Sequence, residues 1–200
     1  MKTEDRFTGR VQEYERYRMR YPRAVIRLLQ KRSALQPGHV VADVGAGTGM
    51  LAELFLEVGN RVLAIEPNPE MRQVCERLGT RYPALSVLDA TAEHTGLRDA
   101  SVDLVSVGRA FHWFDREKAL TEFRRILKPG GWIALVTNRR AQDRSEQARE
   151  YEGILMEHGI DYAQVRGGYR GFEGLRPFAD ADVFQAVSYT HLTLPTNREV

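Results

Sequence analysis

Apolar residues along this chain keep two rhythms, and the two alternate. Short runs, apolar at nearly every position, recur at 39–44, 61–65, 85–88, 102–107 and 132–137. Runs of that length predict strands, and strands apolar on both faces predict a parallel sheet covered by helices on both sides. Between the runs the spacing lengthens to threes and fours. Leu51, Leu54, Phe55 and Val58 form one such set, Met71, Val74, Cys75 and Leu78 a second, and Ala119, Leu120, Phe123, Ile126 and Leu127 a third. Each predicts a helix with a single apolar stripe. The punctuation agrees: Pro37-Gly38 and Gly59-Asn60 signal turns, and Asn68 and Asp115 are placed to cap helices. Pro69 takes a favoured first helical position, and Lys128-Pro129-Gly130-Gly131 reads as a helix stop before the last strand. Strand and helix thus alternate from about 39 to 137, the order of a doubly wound, mostly parallel α/β sheet. Residues 11–32 read as helical with a break at Tyr21-Pro22, 144–158 as a helix, and 166–174 as a glycine-rich loop.

Composition narrows the classes. The chain has 200 residues, 42% hydrophobic and 28% charged, with a net charge of +2. That balance suits one globular domain and is too small to argue for nucleic acid or an anionic membrane as partner. Arginines crowd the first third, but they alternate with Glu13, Glu15 and tyrosines, the pattern of a solvated helix face. One cysteine, Cys75, rules out an internal disulfide and a cysteine-based metal cluster, and its helical neighbours predict a place in the core. No metal site is expected. No apolar run approaches the roughly 20 residues of a membrane span, and the first residues lack the apolar core of a secretory signal, so cytoplasm is the expected location. Residues 187–196 match one translated frame of a common transposon-based sequencing adapter. The expectation is a gene truncated near Ala186, with 187–200 an artefactual tail and 139–186 an incomplete C-terminal part. A truncation there would leave strand 132–137 as an exposed sheet edge or the tail poorly packed, with a risk of aggregation.

The chemistry begins at Val40-Val41-Ala42-Asp43-Val44-Gly45-Ala46-Gly47-Thr48-Gly49. A strand ends in an acid and breaks into three alternate glycines before a helix, which is how an α/β sheet seats a nucleotide-like ligand against backbone N–H groups. Gly47-x-Gly49-x-x-Ala52 with Glu66 downstream fits a loose dinucleotide fingerprint. Asp43 argues against that reading, because a carboxylate there repels a pyrophosphate and suits a ligand carrying an ammonium and a sulfonium.

Asp43-x-Gly45-x-Gly47-x-Gly49 resembles motif I of the class I S-adenosylmethionine (SAM)-dependent methyltransferases. Ala64-Ile65-Glu66-Pro67-Asn68-Pro69-Glu70-Met71, Ala90-Thr91-Ala92-Glu93, Ser101-Val102-Asp103-Leu104-Val105 and Phe123-Arg124-Arg125-Ile126-Leu127-Lys128-Pro129-Gly130-Gly131 resemble the motifs that follow in that family's order. The likeness covers 35–138, between an N-terminal helical segment at 1–34 and the C-terminal part, and is greatest to the small-molecule "type 11" branch with its trans-aconitate methyltransferase-like members. It implies a Rossmann-like methyltransferase fold and SAM as cofactor. It further implies that Asp43, Gly45, Gly47 and Gly49 hold the methionine moiety, with Ala46 and Thr48 beside them. Glu66 would accept both ribose hydroxyls, Pro67 and Met71 would pack on adenine, and the Ala92 N–H would meet an adenine nitrogen. Many relatives carry Asp where Thr91 stands; here the Thr91 hydroxyl or Asp89 would take the adenine amino group.

The segment Gly108-Arg109-Ala110-Phe111-His112-Trp113-Phe114 follows a strand and should face the ligand crevice. Arg109 would anchor an acidic acceptor or lie along the cofactor. His112 would serve as general base for a hydroxyl or amine, or else pack structurally, and Trp113 and Phe114 would wall the pocket or fill the core. The N-terminal Phe7-Thr8-Gly9-Arg10-Val11-x-x-Tyr14-x-x-Tyr17-Arg18-x-x-Tyr21-Pro22 resembles the family's lid helix, with Tyr17 and Arg18 touching the SAM carboxylate or the acceptor, or a tyrosine stripe docking the helix on the sheet. The implied activity is methyl transfer to a small-molecule carboxylate, hydroxyl or amine by in-line displacement. A SAM-binding protein without catalysis and an NAD-dependent oxidoreductase are the alternatives.

Overall fold

A computed structural model describes residues 9, 11–137 and 146–159. Five strands form one sheet: β1 (Val40–Val44), β2 (Arg61–Ile65), β3 (Leu85–Leu88), β4 (Val102–Gly108) and β5 (Leu127–Val136). Their order is β3-β2-β1-β4-β5, and every pairing is parallel. Helices α1 (Val11–Tyr17), α2 (Ala24–Arg32), α3 (Met50–Glu57), α4 (Pro69–Arg77) and α5 (Arg116–Ile126) belong to the same compact unit, while α6 (Glu146–His158) belongs to a second. The doubly wound reading holds. Chain order steps outward from β1 on one side through β2 and β3, then returns to add β4 and β5 on the other. β1 is therefore flanked on both sides, and the reversal places a crevice at its C-terminal end.

Burial follows the apolar rhythm. Val41, Ala42, Val44, Val62, Ala64, Ile65, Val102 and Val105 are wholly buried, as are Phe55 of α3 and Phe123 of α5. Asn68 caps α4, its Oδ1 accepting the Met71 N–H at 3.0 Å, with Pro69 at the first position. Asp115 caps α5 by accepting from the Lys118 N–H. Cys75 is buried, as its stripe predicts.

Two boundaries differ from the sequence expectation. The break between the N-terminal helices runs from 18 to 23 rather than sitting at Tyr21-Pro22 alone. β5 begins at Leu127, not Trp132, and follows α5 directly. Leu127 pairs with Val102 and Trp132 with Leu104, so Lys128–Gly131 forms a bulge within the strand. Lys128 secures it, donating to both oxygens of Asp103 at 2.8 and 2.9 Å. Asp103 also accepts the Val40 N–H at 2.8 Å. Partial burial alone would raise the Asp103 carboxyl, but these bonds outweigh it and hold the group below the usual carboxylate range. β5 forms one end of the described sheet. The residues at 166–174 and 187–200, with Phe7, Thr8 and Arg10, lie outside the described part.

Candidate functional site

The crevice at the end of β1 is bounded by the glycine turn, the end of β4 and the segment between α1 and α2. Asp43, Ala46, Gly47, Thr48, Arg109 and Tyr21 line it, with Gly45, Met50, Leu51 and Gly108 completing the wall. It is narrow, with a cavity volume of about 20 Å³.

The turn itself is tied down by the fold. Ile65 at the end of β2 accepts the N–H groups of Gly45 and Ala46 at 2.9 and 3.1 Å. The Gly47 N–H donates to Glu66 Oε2 at 2.8 Å, and Glu66 Oε1 accepts the Asn68 N–H at 2.9 Å. These three turn amides, expected to face a ligand, are thus committed internally. Gly47 has a φ of +59° and open space where a Cβ would stand, so the turn presents a bare edge to the crevice. Gly49 faces elsewhere: a Cβ there would fall 2.6 Å from Leu78 Cδ1 and 2.9 Å from Cys75 Sγ, which is where α4 packs against the start of α3.

Asp43 is 1% exposed. Its Oδ1 accepts from the Ser106 hydroxyl at 2.7 Å, whereas Oδ2 is buried with no hydrogen-bond partner among the described residues. Loss of hydration dominates: it outweighs the Ser106 bond and the nearby Ala52 backbone amide, and with Glu66 adding like charge the carboxyl is pushed up to about 7. Thr48 Oγ1, in the same wall, is likewise buried with no partner among the described residues. The crevice therefore holds a carboxyl group and a hydroxyl in want of donors or a cation.

Arg109 closes the opposite side. Its Nε donates to the Tyr21 hydroxyl at 2.8 Å, its Nη1 to the Met19 carbonyl at 3.0 Å, and its Nη2 reaches Met50 Sδ at 3.8 Å. The guanidinium also lies 4.5 Å from the Tyr21 ring centre. The residue sits at φ +57°, a left-handed conformation costing an arginine about 1–2 kcal/mol.

The other expected site residues are distributed around this centre. Glu66 stands behind Gly47, and Met71 is buried on α4, one turn beyond Pro67. Thr91 and Ala92 lie on the loop after β3, Ala92 buried and Thr91 half-buried. Asp89, the alternative to Thr91, has both oxygens bound by Arg72 at 3.0 and 2.9 Å. His112 and Trp113, both half-buried, lie with ring centres 4.3 Å apart and planes tilted by 45° in a short 3-10 turn after β4. Tyr17 is 74% exposed, and Arg18 is half-buried; neither lines the crevice. The side chain of Tyr14 lies outside the description. Tyr21 and Met50 were not expected there. Tyr21 stands before Pro22 and reads as a helix break, while Met50 falls just past the last glycine of the motif.

The family model described as "methyltransferase domain" matches residues 42–135. A solved structure of a candidate type II methyltransferase from Anaeromyxobacter dehalogenans is 32% identical with a TM-score of 0.61, the match covering 79% of this chain and 67% of that one. The chain belongs to the methyltransferase family. An uncharacterized methyltransferase of Mycobacterium tuberculosis is 40% identical over 76% of this chain and 60% of its own length. A malonyl-[acyl-carrier protein] O-methyltransferase of Hamiltonella defensa is 30% identical over 66% of this chain and 50% of its own length. This methyltransferase chain therefore spans only 50–60% of these curated relatives. A candidate S-adenosyl-L-methionine-dependent methyltransferase from Methanococcus maripaludis shares the fold at 16% identity, with a TM-score of 0.60 over 78% of this chain and 72% of that one. Among the described residues, no group of three or more His, Cys, Asp or Glu is placed to hold a metal ion, and no helix is long and apolar enough to cross a membrane.

Proposed function

We propose that this domain binds S-adenosyl-L-methionine at the end of β1 and directs its methyl group to a small-molecule acceptor. The observation that carries the reading is Asp43, a buried carboxyl group with one oxygen left over, aimed at the wall of the crevice. A ligand ammonium supplies what that oxygen lacks, and a pyrophosphate does not, since Asp43 and Glu66 both oppose a dianion there. The polar set fits the cofactor. Asp43 would take the ammonium, and the glycine turn from Gly45 to Gly49 would carry the amino-acid arm past Ala46 and Thr48. Glu66 accepts the Gly47 and Asn68 N–H groups on its two oxygens, and as an ionised carboxylate it would also accept the ribose hydroxyls. Pro67 and Met71 would form the apolar slot for adenine, with Thr91 and the Ala92 N–H at its polar edge.

Bound, the cofactor supplies a methyl group already activated on a sulfonium. The protein is then left to align an acceptor and exclude water. Arg109 offers a cation to a carboxylate in the crevice. His112 is the candidate base for a hydroxyl or amine acceptor, and a carboxylate acceptor needs none. The M. tuberculosis and A. dehalogenans relatives support methyl transfer as the reaction class.

Calorimetric titration with S-adenosylhomocysteine and, separately, NAD tests this reading. Saturable binding of the first alone is expected, and Glu66→Ala should weaken it about 10- to 100-fold, the worth of hydrogen bonds to a charged group. Circular dichroism on the variant checks that it folds. Binding of NAD in place of the homocysteine compound would overturn the reading.

A further inference from the structure

We propose that Tyr21 is a positioning residue whose hydroxyl holds Arg109 across the crevice, making segment 18–23 a latched strap that must loosen before the amino-acid arm of the cofactor can enter. The inference rests on the cofactor reading above and adds its control. Four observations converge on the pair. Arg109 keeps a left-handed backbone, a conformation that persists where its surroundings impose it. Its guanidinium is fastened to the strap twice, at the Tyr21 hydroxyl and the Met19 carbonyl, and lies against the Tyr21 ring. Tyr21 is 6% exposed and seated where β4 ends, on a glycine cut to fit it: a Cβ on Gly108 would fall 2.5 Å from the Tyr21 hydroxyl. Finally, the crevice these groups share with Asp43 holds no more than a water-sized volume.

The outer fastenings of the strap are weaker. Arg20 pairs with Glu53 at 2.9 Å and Arg23 with Glu57 at 3.0 Å, with both arginine side chains at least 70% exposed. Of the inner latch, the bond from Arg109 to the Tyr21 hydroxyl is part-buried and the bond to the Met19 carbonyl is exposed. A carboxylate entering the crevice competes for the same guanidinium with a full charge, against a neutral hydroxyl and a carbonyl. Arg109 then exchanges the strap for the ligand.

Two variants test this. Tyr21→Phe removes the acceptor of Arg109 Nε and keeps the ring. Gly108→Ala displaces Tyr21 and leaves Arg109 intact. In ligand-free protein, trypsin cleavage after Arg18 and Arg20, read by fragment mass, should rise about 3- to 10-fold in either variant, the range set by one hydrogen bond. The association rate of S-adenosylhomocysteine, by stopped flow, should rise by a similar factor. That of methylthioadenosine, which lacks the amino-acid arm, should stay unchanged. A merely structural role for Tyr21 would not speed association. Equal effects on the two nucleosides, or unchanged cleavage, would overturn the latch. Increased cleavage with no binding of either nucleoside by the parent would overturn the cofactor reading and the gate built on it, leaving only a structural strap.

Discussion

Asp43 and Glu66 are two carboxyl groups that the fold sets side by side, and they answer differently. Glu66 has backbone N–H donors on both oxygens, whereas Asp43 has one hydroxyl and an orphan. The Asp43 carboxyl titrates near 7 in the fold against 3.8 for a free side chain. Between those values the folded chain keeps a proton that the unfolded chain has lost. The contribution of Asp43 to stability is thus fully present below about pH 4, falls as pH rises to about 7, and is absent above it. In urea unfolding at pH 5 and pH 8, Asp43→Asn should shrink the difference between the two by about 2–3 kcal/mol. A ligand ammonium reverses the balance, so titrating S-adenosylhomocysteine at pH 6.5 in buffers of unequal ionisation heat should show proton release that Asp43→Asn lacks. These two acids were legible in the sequence because each stands at a fixed offset from a strand end and a glycine. Tyr21 was not, because its partner Arg109 lies 88 positions away and no local spacing marks the pair.

Among the elements, α3 and α4 meet through Gly49. Its φ of +83° and the 2.6 Å approach to Leu78 leave no place for a methyl group. Gly49→Ala combines backbone strain with overpacking, and a loss of about 2–4 kcal/mol in urea unfolding is expected. The helix caps at Asn68 and Asp115 were readable since a cap is a contact over three residues. The start of β5 was not: Lys128-Pro129-Gly130-Gly131 has the composition of a turn, and what makes it a bulge is Asp103 on the neighbouring strand. The same blindness hid Glu122, which accepts from the Thr95 N–H and hydroxyl across 27 positions, besides its bond from Arg125 three residues on. Chiefly through Arg125, Glu122 is held at about 2. The stability it contributes is present above about pH 4.5 and is lost as pH falls toward 2.

For the molecule as a whole, the sheet is graded from centre to edge. β1 is hydrogen-bonded on both sides, and β3, four residues long, on one. In native-state hydrogen exchange, Val41–Val44 should open only with global unfolding and Leu85–Leu88 by local fluctuation, read as different denaturant dependences. Parallel order could be read from the alternation of elements, but the outward-and-back path could not, because nothing in a strand's own residues says which neighbour it will take. That path has a consequence for how the protein is made. Val41 pairs with Leu104, and Ser106 reaches back to Asp43, each across 63 positions. A nascent chain that has produced β1, β2 and β3 thus has the glycine turn in place with one wall missing. Closing so large a loop is slow, and until β4 emerges one long edge of β1 stays open to other chains. The crevice is consequently among the last features to form during synthesis, and a chain halted before residue 102 would carry the most recognisable motif of the family without a place to bind anything.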